Sequence, residues 1–266
     1  MPITKQELLT GEKKPKFKIL CNGGFGSGKS YFAMTFPKWS YAMIEPNGIM
    51  TAVSNPHLME NMVHYEEFVP AKLDLKLCFD NLSNYIVRVR KEIAEGKIET
   101  FILDNLSHLS ENRWLYIEQY EPAISKSGKI DKLAQYGNLG RWLYKFILCE
   151  VISLPCHVVV NVHTMDEEIV EENDRGEEKR KKTGAIITNT LGGFRHDAAG
   201  LFNATIFLEC VLKPQGLYQY RAICKPTAKY PAKNNIGLPQ IVEDISYQKL
   251  VEAIGLNKQP NKEEVK

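Results

Sequence analysis

The hydrophobic residues of this chain follow two patterns: short apolar runs, and longer segments in which apolar side chains recur every three or four positions. The runs predict strands and the recurring pattern predicts helices. The predicted strands are residues 16–21, 41–44, 100–103 and 156–162. The predicted helices are residues 30–36, 79–95, 133–152 and 247–254. Because strands and helices alternate, we expect an α/β fold with a mostly parallel central sheet flanked by helices.

Paired strands are predicted later in the chain. Residues 205–212 and 217–224 flank a Lys-Pro-Gln-Gly turn, which predicts a late antiparallel hairpin. Residues 166–182 carry eight acidic and five basic side chains. This segment, bounded at residues 165–184, is expected to be a mobile loop or an exposed hairpin that turns at residues 173–176.

The polar ends of the chain frame one predicted core. We expect a polar lead-in at residues 1–15, a single core at residues 16–256 and a polar tail at residues 257–266. The most apolar stretch, residues 146–162, contains Glu150, so it is not expected to cross a membrane. Lys and Glu interrupt the first 20 residues, which therefore do not resemble a signal peptide.

Composition narrows the classes of partner. The chain has 34 Lys and Arg against 32 Asp and Glu, a net charge of +2. That balance excludes a global attraction to nucleic acid or membrane, so any such contact must be local. Six cysteines occur without a Cys-x-x-Cys pair, which indicates reduced thiols rather than a zinc site. We therefore expect a soluble cytoplasmic protein.

One motif follows the first predicted strand and opens the first predicted helix. It satisfies the pattern G-x-x-x-x-G-K-[ST] and consists of Gly23, Gly24, Phe25, Gly26, Ser27, Gly28, Lys29 and Ser30. The glycines let several backbone N–H groups point at one anion, and the helix N-terminus adds positive partial charge. Lys29 would contact the β- and γ-phosphates, and Ser30 would offer Mg²⁺ a hard oxygen ligand. The motif predicts a site for ATP and Mg²⁺.

Catalysis at such a loop needs carboxylates nearby. Asp104 ends a predicted buried strand and is expected to hold Mg²⁺. A helix is expected to follow it, so Asp104 could also be the N-cap of that helix. Glu45, after the second strand, is expected to orient the attacking water, with Glu66 and Glu67 as alternatives. His163, after the fourth strand, either senses the γ-phosphate or is an ordinary hydrogen-bonded strand-end residue.

Several short segments carry a family resemblance beyond the phosphate loop itself. These segments are residues 103–109 (LDNLSHL), 135–137 (QYG), 155–160 (PCHVVV), 191–194 (LGGF) and 232–235 (AKNN). With them, the chain resembles the RecA-like P-loop ATPases of the small phage type, phage AAA-family ATPases and RecA-like single-strand annealing proteins. The resemblance covers roughly residues 16–254.

The resemblance implies further features of fold and site. It implies an extra strand between the phosphate-loop strand and the Asp104 strand, and a water-polarising carboxylate on the second strand, which Glu45 matches loosely. It also implies a homo-oligomer in which basic residues on late strands reach the nucleotide of a neighbouring subunit. The arginine of the usual Lys-Asp-Arg motif is absent from residues 233–235. Lys225, Lys229 and Lys233 are therefore possible trans-acting substitutes.

The resemblance also implies that two loops face single-stranded DNA. The loop at residues 122–132 carries Lys126, Lys129 and Lys132, which suit salt-dependent contact with phosphates. The loop at residues 165–195 is acidic overall, and only the block at residues 179–182 favours DNA. That block consists of Lys179, Arg180, Lys181 and Lys182. Tyr136 and Phe194 are the nearest aromatic residues for base stacking.

The predicted function is that of a Mg²⁺-dependent ATPase of phage DNA metabolism that binds or anneals single-stranded DNA in recombination. One alternative is a nucleotide-dependent interaction protein with little turnover, such as a helicase-loading or packaging accessory. Another is a kinase for small molecules or nucleotides, in which Arg175 and Arg180 would belong to a lid.

Overall fold

The structure is a computed structural model that describes residues 16–46, 48–70, 74–172, 178–214 and 216–255. The predicted lead-in and tail lie outside the described residues, so the predicted division into lead-in, core and tail stays a prediction. Every strand and helix predicted from the apolar pattern is present, close to its predicted bounds.

Eleven strands are found in the described part of the chain. They are β1 (Lys18–Gly23), β2 (Trp39–Met43), β3 (Met62–Glu67), β4 (Thr100–Asp104), β5 (His157–Val162), β6 (Thr164–Glu172), β7 (Glu178–Thr188), β8 (Ala204–Leu212), β9 (Tyr218–Ile223), β10 (Lys233–Asn234) and β11 (Ile241–Glu243). The strand β3 has no apolar run, since each of its residues is at least partly exposed, and the sequence pattern did not predict it.

Eight α-helices surround these strands in the described residues. They are α1 (Lys29–Met34), α2 (Met50–Val53), α3 (Pro56–Met59), α4 (Leu75–Ala94), α5 (Leu106–Tyr120), α6 (Lys132–Lys145), α7 (Phe194–Leu201) and α8 (Tyr247–Ala253). The single helix predicted at residues 133–152 is divided, because α6 passes into a π-helix at Phe146–Ile152. No helix of the described residues is both long and apolar enough to cross a bilayer.

The central sheet has nine strands in the order β11-β9-β8-β1-β5-β4-β2-β3, with β10 also paired to β8. The pairs from β8 through β3 are parallel, while β9, β10 and β11 add antiparallel pairs. The predicted mostly parallel sheet and the late hairpin, formed by β8 and β9, are therefore confirmed. The strand β5 lies between the phosphate-loop strand β1 and the Asp104 strand β4.

The apolar strands are buried because hydrophobic clusters cover both faces of the sheet. In β4, Phe101 and Leu103 belong to one cluster, and Ile102 belongs to the opposite one. In β5, Val158 and Val159 are divided in the same way. Burial on both faces explains why these strands are continuous apolar runs instead of alternating ones.

The charged segment forms a separate two-stranded antiparallel sheet of β6 and β7. Of the two predicted alternatives, a mobile loop and an exposed hairpin, the structure has the hairpin, and its turn lies outside the described residues. In the register of this ribbon, Glu168 of β6 stands opposite Lys182 of β7. Opposite charges on paired positions are the expected way to stabilise an exposed ribbon of this composition.

Candidate nucleotide site

The phosphate loop joins β1 to α1, as the motif predicts. Gly26 and Gly28 have φ angles of 69° and 89°, which favour glycine over any other residue. A Cβ at Gly28 would also lie 2.7 Å from Cδ1 of Tyr220 on β9, so two independent constraints require glycine there. Phe25, at the tip of the loop, is 82% exposed, and its ring centroid lies 4.3 Å from that of His163.

The ammonium group of Lys29 is buried under this loop. Its Nζ donates hydrogen bonds of 2.8 Å to the carbonyl oxygens of Gly23 and Gly24. Burial lowers the pKa of Lys29, and the negative charges of Cys21, Asp104 and Glu45, where present, act in the opposite direction. A cation held against carbonyl oxygens in a buried position is suited to exchange those partners for phosphate oxygens.

Asp104 is almost fully buried, and three donors converge on its Oδ2 atom. Ser30 Oγ donates at 2.7 Å, Asn161 Nδ2 at 2.9 Å, and the Tyr41 hydroxyl also donates to it. Burial and the neighbouring carboxylate raise the pKa of Tyr41, which stays protonated as a donor. The predicted alternative of Asp104 as N-cap is wrong, because Asn105 caps α5 by accepting from the backbone N–H of His108.

Hard oxygen ligands suitable for Mg²⁺ therefore meet at one point. Ser30 Oγ and a carboxylate oxygen of Asp104 are the protein ligands that magnesium prefers. Asn161 Oδ1 is buried beside them and has no hydrogen-bond partner among the described residues. The donor set thus fits the predicted metal, which Ser30 and Asp104 would hold.

Glu45 follows β2 and faces the loop. His163 Nε2 lies 3.2 Å from its Oε2 atom, and Asn105 Nδ2 donates to the same oxygen. The hydrogen bond from His163 lowers the pKa of Glu45, and burial only partly opposes it. Glu45 is therefore ionised at neutral pH and ready to accept a hydrogen bond.

The two ring nitrogens of His163 face different neighbours. Lys29 Nζ lies 3.5 Å from Nδ1, and an ammonium can only donate, so Nδ1 is an acceptor. With Nδ1 facing the ammonium, Nε2 is the ring nitrogen that faces Glu45 Oε2. His163 joins the phosphate-binding lysine to the carboxylate, an arrangement that accommodates both of the roles predicted for it.

Glu45, His108 and His163 also place one potential metal ligand each within 4.8 Å of one another. Two imidazole nitrogens and a carboxylate oxygen can bind zinc. However, the amide of Asn105 lies among these groups, with Nδ2 2.9 Å from His163 Nε2 and Oδ1 3.1 Å from His108 Nδ1. The cluster is therefore a hydrogen-bonded network arranged around an amide.

One cavity of about 590 Å³ lies between the phosphate loop, α2 and β9. Its lining includes Lys29, Ser30, Glu45, Asp104 and His163. Within the described residues that line it, the carboxylates are Glu45 and Asp104. Glu66 instead accepts from Arg88 at 2.6 Å, and Glu67 accepts from Tyr65 at 2.6 Å, both on or beside the edge strand β3. The structure thus places Glu45, and not its two alternatives, at the loop.

Comparison with known proteins agrees with this geometry. The model of a family described as an AAA domain matches residues 15–236, which include the phosphate loop, Glu45, Asp104 and His163. The chain belongs to this AAA-domain family. It carries a P-loop ATPase domain, as the resemblance of the sequence implied.

Other comparisons add little detail to the family. One similar solved structure is described as a prototypical ATPase from the type III secretion system of pathogenic bacteria. It is 11% identical, with a TM-score of 0.42, and the alignment covers 72% of this chain and 51% of that one. The AAA domain thus spans about half the length of that protein. No curated protein matches the chain.

The lysines predicted to contact DNA lie in two different settings. Lys126 and Lys129 are exposed on the segment between α5 and α6, where Ser125 N donates to Lys129 O at 2.8 Å and closes a turn. Lys132 is exposed at the first position of α6. On the hairpin, Lys182 stands opposite Glu168, whereas Lys181 and Arg180 stand opposite Ile169 and Val170.

The described side chains of the basic block at residues 179–182 have partners of their own. Arg180 pairs with Glu168 at 3.8 Å and Lys182 with Asp166 at 2.5 Å. Lys181 also has an interaction partner, and the side chain of Lys179 lies outside the described residues. Arg180 and Lys182 are thus already matched by acids of their own hairpin.

One predicted aromatic contact is wrong. Phe194 is only 3% exposed because it packs in the core, so it cannot stack on a base. Tyr136 is 40% exposed and stacks on Trp114 with ring centroids 4.3 Å apart. Only Tyr136 of the two predicted residues presents a ring surface.

The lysines predicted to act on a neighbouring subunit also differ. Lys233 Nζ donates to the carbonyl oxygens of Gly200 and Phe202 at 2.8 Å, near the end of α7. Lys229 lies over the ring of Tyr230, 4.8 Å from its centroid. Lys225 is exposed. The position of Lys233 indicates a structural role, and Lys225 is the better placed of the three to reach another molecule.

The sequence pattern missed several residues that organise the site. Tyr41, Asn105 and Asn161 hold the two carboxylates, and Tyr220 packs over the phosphate loop. Asn105 left a signal, since it follows a buried strand and precedes a helix, as an N-cap residue does. Tyr41 left none, because it lies within an apolar strand. Asn161 is predicted from its place at the end of the fourth buried strand to sense the γ-phosphate, but its contact with Asp104 is not predicted.

Proposed function

We propose that this AAA domain is a Mg²⁺-dependent ATPase in which Glu45 orients the attacking water. The observation that carries the proposal is the meeting of Ser30 Oγ and Asp104 Oδ2 at 2.7 Å on the floor of a cavity that Glu45 also lines. A phosphate loop, a metal-binding pair and a separate ionised carboxylate are the parts that hydrolysis of a phosphoanhydride needs.

Binding begins with the loop. The triphosphate would accept hydrogen bonds from backbone N–H groups between Gly24 and Lys29, at the N-terminus of α1. Lys29 would release the carbonyl oxygens of Gly23 and Gly24 and bind β- and γ-phosphate oxygens instead. Bound Mg²⁺, held by Ser30 and Asp104, would neutralise phosphate charge.

Hydrolysis then depends on the position of the water. The lowered pKa of Glu45 makes it a hydrogen-bond acceptor at neutral pH, so it can hold a water in line with the γ-phosphorus. His163 contacts both Lys29 and Glu45. It can thereby transmit the presence of the γ-phosphate to β6, which begins at the next residue, Thr164.

Hydrolysis of ATP by matched variants tests this proposal. Glu45→Gln should lower kcat about 100-fold while ATP binding changes only a few-fold, because the amide keeps the shape and loses the charge. Lys29→Ala should weaken ATP binding strongly. Glu66→Gln is the matched control, since Glu66 pairs with Arg88 away from the cavity.

Normal hydrolysis by Glu45→Gln would remove Glu45 from its role. Tight Mg²⁺-dependent ATP binding by a wild-type protein that does not hydrolyse ATP would instead favour the nucleotide-dependent interaction protein. Phosphate transfer to a small acceptor would favour a kinase.

We further propose that the ATPase acts on single-stranded DNA in phage recombination, as a homo-oligomer. The exposed Lys126, Lys129 and Lys132 support this proposal, together with the ring of Tyr136 four residues beyond Lys132. Because Arg180 and Lys182 of the basic block are paired with acids of β6, we assign the phosphate contacts to the segment between α5 and α6 together with Lys132 at the start of α6.

Affinity for an oligonucleotide tests this assignment. Neutralising Lys126, Lys129 and Lys132 together should weaken binding and flatten its dependence on salt, since fewer counterions are released. Neutralising Arg180 and Lys182 should change both much less. Binding that does not depend on salt would contradict a role in DNA binding.

A further inference from the structure

Asn105 lies between the proposed water-orienting carboxylate and the start of α5. The side chain is fully buried. Its Oδ1 atom accepts a 2.9 Å hydrogen bond from the backbone N–H of His108, which makes it the N-cap of the helix. Its Nδ2 atom donates to Glu45 Oε2. One side chain thus connects the helix to the carboxylate.

The cap determines which way the amide points. An N-cap must offer an oxygen to the helix N–H, so the oxygen of Asn105 is committed to His108. The NH₂ group is then the part that faces Glu45 and His163. Asn105 Nδ2 and His163 Nε2 lie 2.9 Å apart, and both are within hydrogen-bond distance of the same atom, Glu45 Oε2.

Capping alone does not explain an asparagine at this position. Serine and aspartate cap helices as well as asparagine does, but neither presents an NH₂ group on its other side. Aspartate would place a second carboxylate against Glu45. The requirement that distinguishes asparagine here is the donor toward Glu45.

The donors also determine which oxygen of Glu45 remains for chemistry. Both reach Oε2, and within the described residues no hydrogen bond to Oε1 is found. The Glu45 side chain is 28% exposed, so water can reach it from the cavity. Fixing Oε2 therefore orients Oε1 as the acceptor for a water.

We propose that Asn105 is a positioning residue that holds Glu45 by Oε2 and directs Oε1 at the attacking water, with α5 as its rigid support. This inference rests on the proposed function, because it assigns a purpose to the orientation of Glu45. It predicts that the carboxylate loses both its orientation and a stabilising donor when the amide is replaced by another capping group.

Two cap-preserving variants test the proposal. Asn105→Ser keeps an oxygen for His108 and removes the NH₂ group, and Asn105→Asp keeps the oxygen and adds a negative charge. We expect kcat to fall about 10- to 100-fold in Asn105→Ser, because misplacing a catalytic group by about an ångström has effects of this size. KM for ATP should change less than threefold, since Lys29 and the loop are untouched.

A second measurement is independent of turnover. The pKa of Glu45 should rise in Asn105→Ser and rise further in Asn105→Asp, when carboxylate titration is followed by NMR of ¹³C-labelled glutamate. The acid limb of the kcat profile should move to higher pH in the same order. Ser246→Asn is the control, because it exchanges the cap of α8 outside the cavity and should change neither quantity.

The outcomes separate the inference from the proposed function. A wild-type protein without ATP hydrolysis would overturn the proposed function, and the inference with it. Hydrolysis by the wild type together with an unchanged kcat and an unchanged titration of Glu45 in Asn105→Ser would overturn the inference alone. If Asn105→Ser unfolds, Asn105→Asp decides by the same two measurements.

Discussion

Two regions of this AAA domain are equally rich in polar and charged side chains, and the structure uses them differently. At the ends of β1, β4 and β5, Asp104 is 3% exposed and accepts from Ser30, Tyr41 and Asn161. On the β6–β7 hairpin, pairs such as Asp166 and Lys182 are more than half exposed. Buried groups need every partner, whereas exposed pairs exchange with water at little cost.

Asp104→Ala should disrupt the buried hydrogen-bond network around Asp104 and have the largest effect on stability and activity. The variant leaves the donors on Tyr41 and Asn161 buried without an acceptor and should lower the free energy of unfolding by about 3 kcal/mol. It should also abolish Mg²⁺-dependent ATP hydrolysis. Urea unfolding and a hydrolysis assay measure the two effects, and a loss below about 1 kcal/mol would contradict the network.

Much of this first region could be predicted from the sequence, because its signals are local. The phosphate loop has a fixed spacing, and Asp104 ends a run that is apolar because the sheet is covered on both faces. The partners of Asp104 could not be predicted. Tyr41 and Asn161 are 63 and 57 positions away along the chain and meet Asp104 only through the strand order.

The β6–β7 hairpin, in contrast, could not be predicted with certainty from its sequence. The composition of residues 166–182 allowed either a loop or a hairpin, because its polar side chains carry little information about burial. The structure has antiparallel pairing in which Glu168 stands opposite Lys182, and this pairing depends on a register that composition does not specify. Glu45 lies between these cases, since its position was predicted but its two donors were not.

Lowering the pH should reduce the stability of the fold by an intermediate amount, because of a buried histidine. This residue, His157, lies at the end of β5 opposite the nucleotide site. Burial lowers the pKa of His157 to about 3, and its Nδ1 accepts from Phe17 N at 3.0 Å. In the unfolded chain His157 binds a proton near pH 6.5, whereas in the folded chain it stays neutral until the pH approaches 3. Stability should therefore be complete above pH 6.5 and decline as the pH falls toward 3, by up to about 1.4 kcal/mol per pH unit.

His157→Asn tests this assignment, because its Oδ1 can replace Nδ1 as acceptor and does not titrate. Urea unfolding between pH 6.5 and 4 should show a shallower decline for the variant than for the wild type. Parallel declines would show that other groups, and not His157, dominate the acid response.

The smallest effect is expected on the hairpin. A double-mutant cycle of Asp166→Ala and Lys182→Ala should give a coupling below about 1 kcal/mol, and the coupling should shrink further in 1 M salt as the charges are screened. Thermal unfolding of the four proteins measures it. A coupling as large as the effect of Asp104→Ala would remove the distinction between the two regions.

The position of β5 between β1 and β4 sets the distance between the phosphate loop and Asp104. In the sheet, Cys21, Asn161 and Asp104 stand side by side in register, so the loop strand and the metal-side carboxylate are two interstrand steps, about 9.6 Å, apart. The middle strand acts as a spacer whose width sets the reach required of Ser30. A slip of β5 along either neighbour would shift the loop strand and the Asp104 strand relative to each other, so the contact of Ser30 with Asp104 depends on the register of both strand pairs.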